Sequence, residues 1–299
     1  MNLPEGARSR MVDVETPLGA GRLHVVEAGA EDAPAILLLH GWPEFWGGWL
    51  RTIPALAAEF RVIAPDLRGF GASAGGGQRA ESLDLLAADQ RALLDALGIA
   101  HVAVVAHDVG AYVAQALALA APDRVRGLFF GNCPYPGIGR RWVEDGQVNE
   151  IWYQSFNQQP WAPALVGADR ESCRRYIGHF LAHWSADPAA FDPVLDDWID
   201  VFMAPGVLAG GFAWYSATNA ARLAQIAGGP QPRAPITQPT RVFWGRHDPV
   251  LRADWAEGLT DYFTDIEIEI AETAGHFVFF EAPEEANPRL LTFLRGLAA

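Results

Sequence analysis

Cysteine is nearly absent from the chain. Its 299 residues hold only Cys133 and Cys173, too few for a disulfide framework or a metal-binding spacing, and consistent with a reducing compartment. Long apolar runs are missing too. No stretch of 18 apolar residues occurs, which excludes an ordinary transmembrane helix. Met1 to Arg10 carries no apolar core of a secretory signal, so a cytoplasmic protein is expected. Positive charge is scarce: Lys plus Arg is 22 against 36 for Asp plus Glu, a formal net charge of −14. That balance argues against nucleic acid and anionic membranes as partners, and solubility alone is enough to account for it. No internal repeat or low-complexity tract is visible. Half of the residues are hydrophobic, enough for one large core with a sizeable insertion, or for two domains. Tryptophan is abundant at eleven residues. Several fall between residues 142 and 214, which points to an aromatic-rich pocket or interface there.

Taken in order, Arg10 to Thr16 and Arg22 to Ala28 alternate like half-exposed strands. Ala35 to Leu39, Phe60 to Ala64, Val102 to Ala106, Gly127 to Phe130 and Arg241 to Trp244 are short apolar runs, the pattern of strands buried on both faces. Glu267 to Ala271 alternates Glu and Ile and predicts an edge strand. Helical spacing covers Ser82 to Leu97, Ala111 to Ala121 and Pro283 to about Leu297, the last with Pro288 inside it. Strands alternating with helices imply right-handed crossovers and a mostly parallel sheet, an α/β fold. Residues 137–230 break that rhythm. They predict helices at Val143 to Phe156, Glu171 to Trp184, Pro193 to Met203 and Gly211 to Ala224, an inserted helical cap. Gly228-Gly229-Pro230-Gln231-Pro232 marks the return to the core. The expected division is a core of 1–136 and 231–299 with a cap of 137–230.

One stretch organises the rest. The run Val102 to Ala106 ends in His107-Asp108-Val109-Gly110-Ala111, and a helix follows at once. Small residues flank Asp108 where a tight turn leaves no room for larger ones. This is the strand-turn-helix elbow that lifts a nucleophile above a sheet edge, with Asp in the place usually held by Ser. The helix N-terminus there favours an ionised carboxylate. Asp248 and His276 also stand just after predicted strands, so all three meet at the carboxyl edge of the sheet. The order nucleophile, acid, His is that of α/β hydrolases. A carboxylate nucleophile forms an ester with an electrophilic carbon, and His276, oriented by Asp248, activates the water that hydrolyses it. The backbone N–H groups of Trp42 and Val109 are placed to form an oxyanion hole. Trp42-Pro43 is a candidate cis peptide.

The motifs His40-Gly41-Trp42-Pro43, Asp66-Leu67-Arg68-Gly69-Phe70-Gly71-Ala72-Ser73, His107-Asp108, Trp244-Gly245-Arg246-His247-Asp248 and Gly275-His276-Phe277 extend over nearly the whole chain. With them the sequence resembles the bacterial soluble epoxide hydrolases of the α/β-hydrolase fold. The cap segments Trp152 to Gln158 and Gly210 to Tyr215 resemble those carrying that family's ring-opening tyrosines. The resemblance implies Tyr153 and Tyr215 in that role, with Asp108, Asp248 and His276 as the triad. It also implies His40, Trp42, Pro43, Val109, Gln154 and Phe277 around the substrate, and an epoxide and water as reactants. It implies no metal and no cofactor, and it leaves a homodimer open. Opening an epoxide leaves an alkoxide, a poor leaving group unless protonated, and a phenol that stays protonated at neutral pH can supply that proton.

The core motifs are shared with dehalogenases that use the same Asp and His, so a hydrolytic dehalogenase is the alternative. Haloacetate dehalogenases commonly place Arg where this chain has Val109 and Tyr112, and a His-Trp pair where it has Tyr153-Gln154. Val109 also departs from the Trp usual in haloalkane dehalogenases and from the aromatic common in epoxide hydrolases. The strand ending in Gly131-Asn132-Cys133 offers no carboxylate. A non-catalytic ligand binder is a third reading, disfavoured by the intact triad and tyrosines. His179 and His183 are four apart but lack the intervening Glu and a third ligand of a zinc helix. Gly75-Gly76-Gly77-Gln78 lacks the Lys of a phosphate loop and predicts a flexible turn, and Cys133, beside Pro134, is expected to be structural.

Overall fold

A computed structural model describes residues 1–228 and 233–298. Eight strands form one sheet: β1 (Arg8–Thr16), β2 (Gly19–Ala28), β3 (Ala35–Leu39), β4 (Arg61–Pro65), β5 (Val102–His107), β6 (Val125–Gly131), β7 (Thr240–Gly245) and β8 (Ile266–Ala271). Their spatial order is β1-β2-β4-β3-β5-β6-β7-β8. β1 and β2 enter antiparallel and every later pairing is parallel. β5 is buried along its whole length, as expected of a central strand covered on both faces. β8 is the far edge. Its isoleucines are half-buried and its glutamates exposed, the one wet face that its alternation predicts.

The α-helices are α1 (Ile53–Ala57), α2 (Leu83–Ala96), α3 (Val109–Ala120), α4 (Trp152–Phe156), α5 (Ala162–Val166), α6 (Arg170–His183), α7 (Leu195–Phe202), α8 (Val207–Gly228), α9 (Val278–Glu281) and α10 (Pro283–Ala298). Two of them start on side-chain caps. Ser82 Oγ accepts from the Leu85 N–H at 3.0 Å ahead of α2, and Asp169 Oδ1 accepts from the Ser172 N–H at 2.7 Å ahead of α6. Each such cap contributes about 1 kcal/mol. α10 runs through Pro288 with the ring on its exposed side, where water can serve the carbonyl left unpaired.

α4 to α8 all lie between β6 and β7, as the broken rhythm of the sequence predicts. The single helix expected over Val143 to Phe156 does not form. Short 3-10 turns at Pro136–Val143 and Gln147–Asn149 precede α4. The reason is Asp145-Gly146: both residues take positive φ, 49° and 80°, a turn conformation that interrupts a helix and that Asp-Gly favours. α8 is longer than expected, 22 residues against the predicted span of Gly211 to Ala224. Of the predicted return segment only Gly228 can be assessed; residues 229–232 lie outside the described residues. Among the described residues no helix is long and apolar enough to cross a membrane.

Candidate active site

Asp108 leaves β5 and caps α3 with φ 47° and ψ −115°, a region an L-residue occupies only where the surroundings enforce it. Two close approaches do so here. A Cβ on Gly110 would lie 2.1 Å from the Leu39 carbonyl oxygen, and one on Gly41 would lie 2.5 Å from Asp108 Cβ. Only glycine lets the β3 loop and the elbow pass this closely. The loop after β3 turns through a cis Trp42-Pro43 bond. The Trp42 N–H in the same loop donates to Asp108 Oδ1 at 3.0 Å. Val109, the other residue expected in an oxyanion hole, is the first residue of α3 and is buried.

His276 follows β8 and Asp248 follows β7. The His276 Nδ1–H donates to Asp248 Oδ2 at 2.7 Å. Asp248 is saturated: Oδ1 accepts from the Val250 and Leu251 N–H groups at 2.8 and 2.9 Å, and Oδ2 also accepts from Asn132 Nδ2 at 2.6 Å. Asn132 closes the frame by accepting from the Gly245 N–H through Oδ1 at 2.9 Å. His276 Nε2 is buried with no partner among the described residues. Burial pulls the imidazole down, but the charge and hydrogen bond of Asp248, with the Asp108 charge, outweigh it. The ring is pushed up to about 9.

Tyr153 on α4 and Tyr215 on α8 come together over this edge, ring centroids 5.5 Å apart at 85°. The Trp42 indole stacks on Tyr153 at 5.1 Å and 4°. Burial raises both phenols, and the Asp108 charge raises them further, together with Tyr153 in the case of Tyr215. Both remain proton donors. A cavity of about 280 Å³ is lined by Asp108, Val109, Tyr153, Gln154 and Tyr215 among others. The remaining residues expected around a substrate stand behind its wall. His40 is held by the backbone, its Nε2 accepting from the Leu67 N–H at 2.9 Å and its Nδ1–H donating to the Gly41 carbonyl at 2.8 Å. The Pro43 carbonyl accepts from Trp198 Nε1 at 2.8 Å. Phe277 packs edge-on against His276, ring centroids 4.9 Å apart.

Three groups at the site go beyond what the sequence marks. Asn132 is one, since the sequence shows only that its strand end lacks a carboxylate. Glu44, next after the His40-Gly41-Trp42-Pro43 motif, is buried and accepts from the Gly41 N–H at 2.9 Å and from His107 Nδ1 at 2.6 Å. His107 Nε2 then reaches the His276 carbonyl at 2.8 Å, so a chain of bonds ties the β3 loop to the loop of His276. The third is Arg222 of α8, in the cavity wall. Nothing in the sequence separates it from a surface arginine. Among the described residues no group of three or more His, Cys, Asp or Glu is placed to hold a metal. His183 pairs instead with Glu150 at 2.8 Å. Cys133 is buried, its thiol pushed up by burial, and its sulfur accepts from Gln115 Nε2.

A half-buried carboxylate on an elbow, a buried His–carboxylate pair at the same sheet edge and a pocket above are the arrangement of an α/β hydrolase. The family model described as alpha/beta hydrolase fold matches residues 34–283. The chain belongs to that family and, within it, to the family of the bacterial soluble epoxide hydrolases. It is 31% identical over 292 residues to the soluble epoxide hydrolase of Corynebacterium sp. (strain C12), covering 92% of this chain and 94% of that one. It is 29% identical over 283 residues to epoxide hydrolase 4 of Homo sapiens, covering 92% of this chain and 76% of that one. Among solved structures, the epoxide hydrolase CorEH superposes with a TM-score of 0.79 at 28% identity, covering 97% of this chain and 99% of that one.

Proposed function

We propose that the chain is an epoxide hydrolase that converts an epoxide to a vicinal diol through an ester on Asp108, with residues 137–230 as the cap over a core of 1–136 and 231–299. The observation that carries the proposal is the convergence of Asp108, Tyr153 and Tyr215 on one cavity. The Trp42 N–H occupies Asp108 Oδ1, which leaves Oδ2 to attack an epoxide carbon. The C–O bond of the ring breaks as the new C–O bond forms, and the ring oxygen takes a proton from one phenol. Each phenol bonds that oxygen more strongly as charge grows on it, so it stabilises the transition state over the ground state.

Ester formation neutralises Asp108. That removes one of the charges holding the His276 proton affinity up, so the imidazole gives up its proton more readily and stands neutral, free to accept one, at the stage that needs a base. His276 Nε2, without a partner among the described residues, takes a proton from water. The hydroxide adds to the ester carbonyl, the Trp42 and Val109 N–H groups bond the oxyanion, and collapse releases diol and the Asp108 carboxylate. The proton on His276 returns to the phenolate.

The test is His276→Gln. Ring opening needs Asp108 but hydrolysis needs the base. Intact-protein mass spectrometry after addition of styrene oxide should show a stable adduct that is absent from Asp108→Ala. Diol formation by His276→Gln without any adduct would refute the covalent route.

A further inference from the structure

Ring opening makes no use of Arg222, although it lines the same cavity. It lies seven residues after Tyr215 on α8, close to two helical turns, so both side chains leave one face about 10 Å apart along the axis. Tyr215, Thr218, Arg222 and Gln225 form a continuous stripe of that helix along the cavity wall. Arg222 is half-buried and the protein supplies little to it. Nη2 donates to Asn219 Oδ1 at 2.8 Å, and Nε is buried without a partner among the described residues. Asp84 also lines the cavity but is exposed and makes no bond to Arg222 among the described residues. The contrast is Arg68, whose Nε and Nη2 grip buried Asp89 at 2.7 and 2.6 Å. A guanidinium withdrawn from water with a donor unused is costly unless an anion meets it. Burial lowers its proton affinity. The cavity wall is largely apolar, with Val109, Trp214, Ala217, Ala221 and Leu251, and Ala217 and Ala221 fall between Tyr215 and Arg222 along α8.

We propose that Arg222 recognises a carboxylate on the substrate, and that the substrate is an aliphatic epoxide with its acid group at the end away from the ring. The inference rests on the epoxide-hydrolase reading and adds the substrate class. A planar guanidinium matches a carboxylate in geometry as well as charge. The apolar stretch suits the chain between acid and ring, and the span sets its length.

The experiment compares the terminal epoxides of hexenoic, octenoic and decenoic acids with their methyl esters, on the wild type, Arg222→Gln and Arg222→Lys, each variant first checked by thermal melting. The readout is the acid-to-ester ratio of kcat/KM. In the wild type at least one chain length should favour the acid by roughly tenfold to a hundredfold, the worth of a hydrogen bond to a charged group. Arg222→Gln should bring the ratio close to one, mainly through KM because the contact lies away from the reacting bonds, and Arg222→Lys should keep part of the preference. Equal ratios in wild type and Arg222→Gln would overturn the assignment. Should no epoxide be opened by the wild type, the hydrolase reading fails by itself. Calorimetric binding of octanoate then decides Arg222: binding by the wild type that Arg222→Gln loses supports it, and no difference between the two refutes it.

Discussion

Replacing both Tyr153 and Tyr215 with Phe removes two oxygen atoms and little else. Both rings remain, so Tyr153 keeps its stack on Trp42 at 5.1 Å and its edge contacts with Phe180 and Trp184, each at 5.1 Å. Among the described residues the Tyr153 hydroxyl takes a long 3.3 Å contact from Gln154 Nε2. Stability should therefore change by less than about 1.5 kcal/mol. The kinetic effect is far larger. A donor aimed at developing oxyanion charge is worth about 3 kcal/mol, roughly a hundredfold. Since both phenols line one cavity with Asp108, either can serve when the other is lost. Single Tyr→Phe variants should slow ring opening by roughly tenfold to a hundredfold, and the double variant by at least about a thousandfold. Stopped-flow fluorescence measures this directly, because the indole of Trp42 lies against Tyr153 and within 5.5 Å of the Tyr215 ring. Alkylation by the double variant at the wild-type rate would reduce the tyrosines to packing and remove the main support for epoxide chemistry.

Gly41→Ala puts a methyl group 2.5 Å from Asp108 Cβ and 2.8 Å from Oδ1. It should cut alkylation at least about a hundredfold, as misplacement by an ångström does, and an unchanged single-turnover rate would show that the carboxylate need not sit where Trp42 holds it. Asn132→Ala frees Asp248 from its 2.6 Å bond and the Gly245 N–H from its acceptor. Stability should fall by about 1 to 3 kcal/mol, and the alkyl-enzyme should persist longer because His276 loses its fixed carboxylate; an unchanged adduct lifetime in a quenched-flow mass measurement would count against that role. His276 holds its proton up to about 9 in the folded chain against about 6.5 for an ordinary imidazole. Its contribution to stability is thus full below about pH 6.5 and is lost as pH rises through 9. The melting-temperature advantage of the wild type over His276→Gln should shrink across that window, and a constant gap would contradict the raised affinity.

Sequence alone determined the parts of this protein that depend on local repetition. The buried runs at β3, β5 and β7 read as strands because both their faces are covered, and β8 read as an edge because its glutamates face water. That Asp108, Asp248 and His276 share one edge was legible because each stands within a few residues after a strand, and the ends of parallel strands lie together. Tyr153 and Tyr215 were legible only through likeness to a family, since an aromatic in a helix carries no local mark of where it points. The break at Asp145-Gly146 was in plain view, yet helical spacing on either side concealed it. Tertiary structure decided the rest, because those roles belong to pairs of residues far apart in the chain. Asn132 bonds Asp248, 116 positions away, and Glu44 bonds His107, 63 positions away. His40, within a core motif, proved to be tied down by backbone on both nitrogens. Arg222 resembles any surface arginine until the fold withdraws its Nε from water and leaves that one donor without a partner among the described residues. Burial and the lack of a counter-charge are properties of packing, and no spacing in the sequence encodes them.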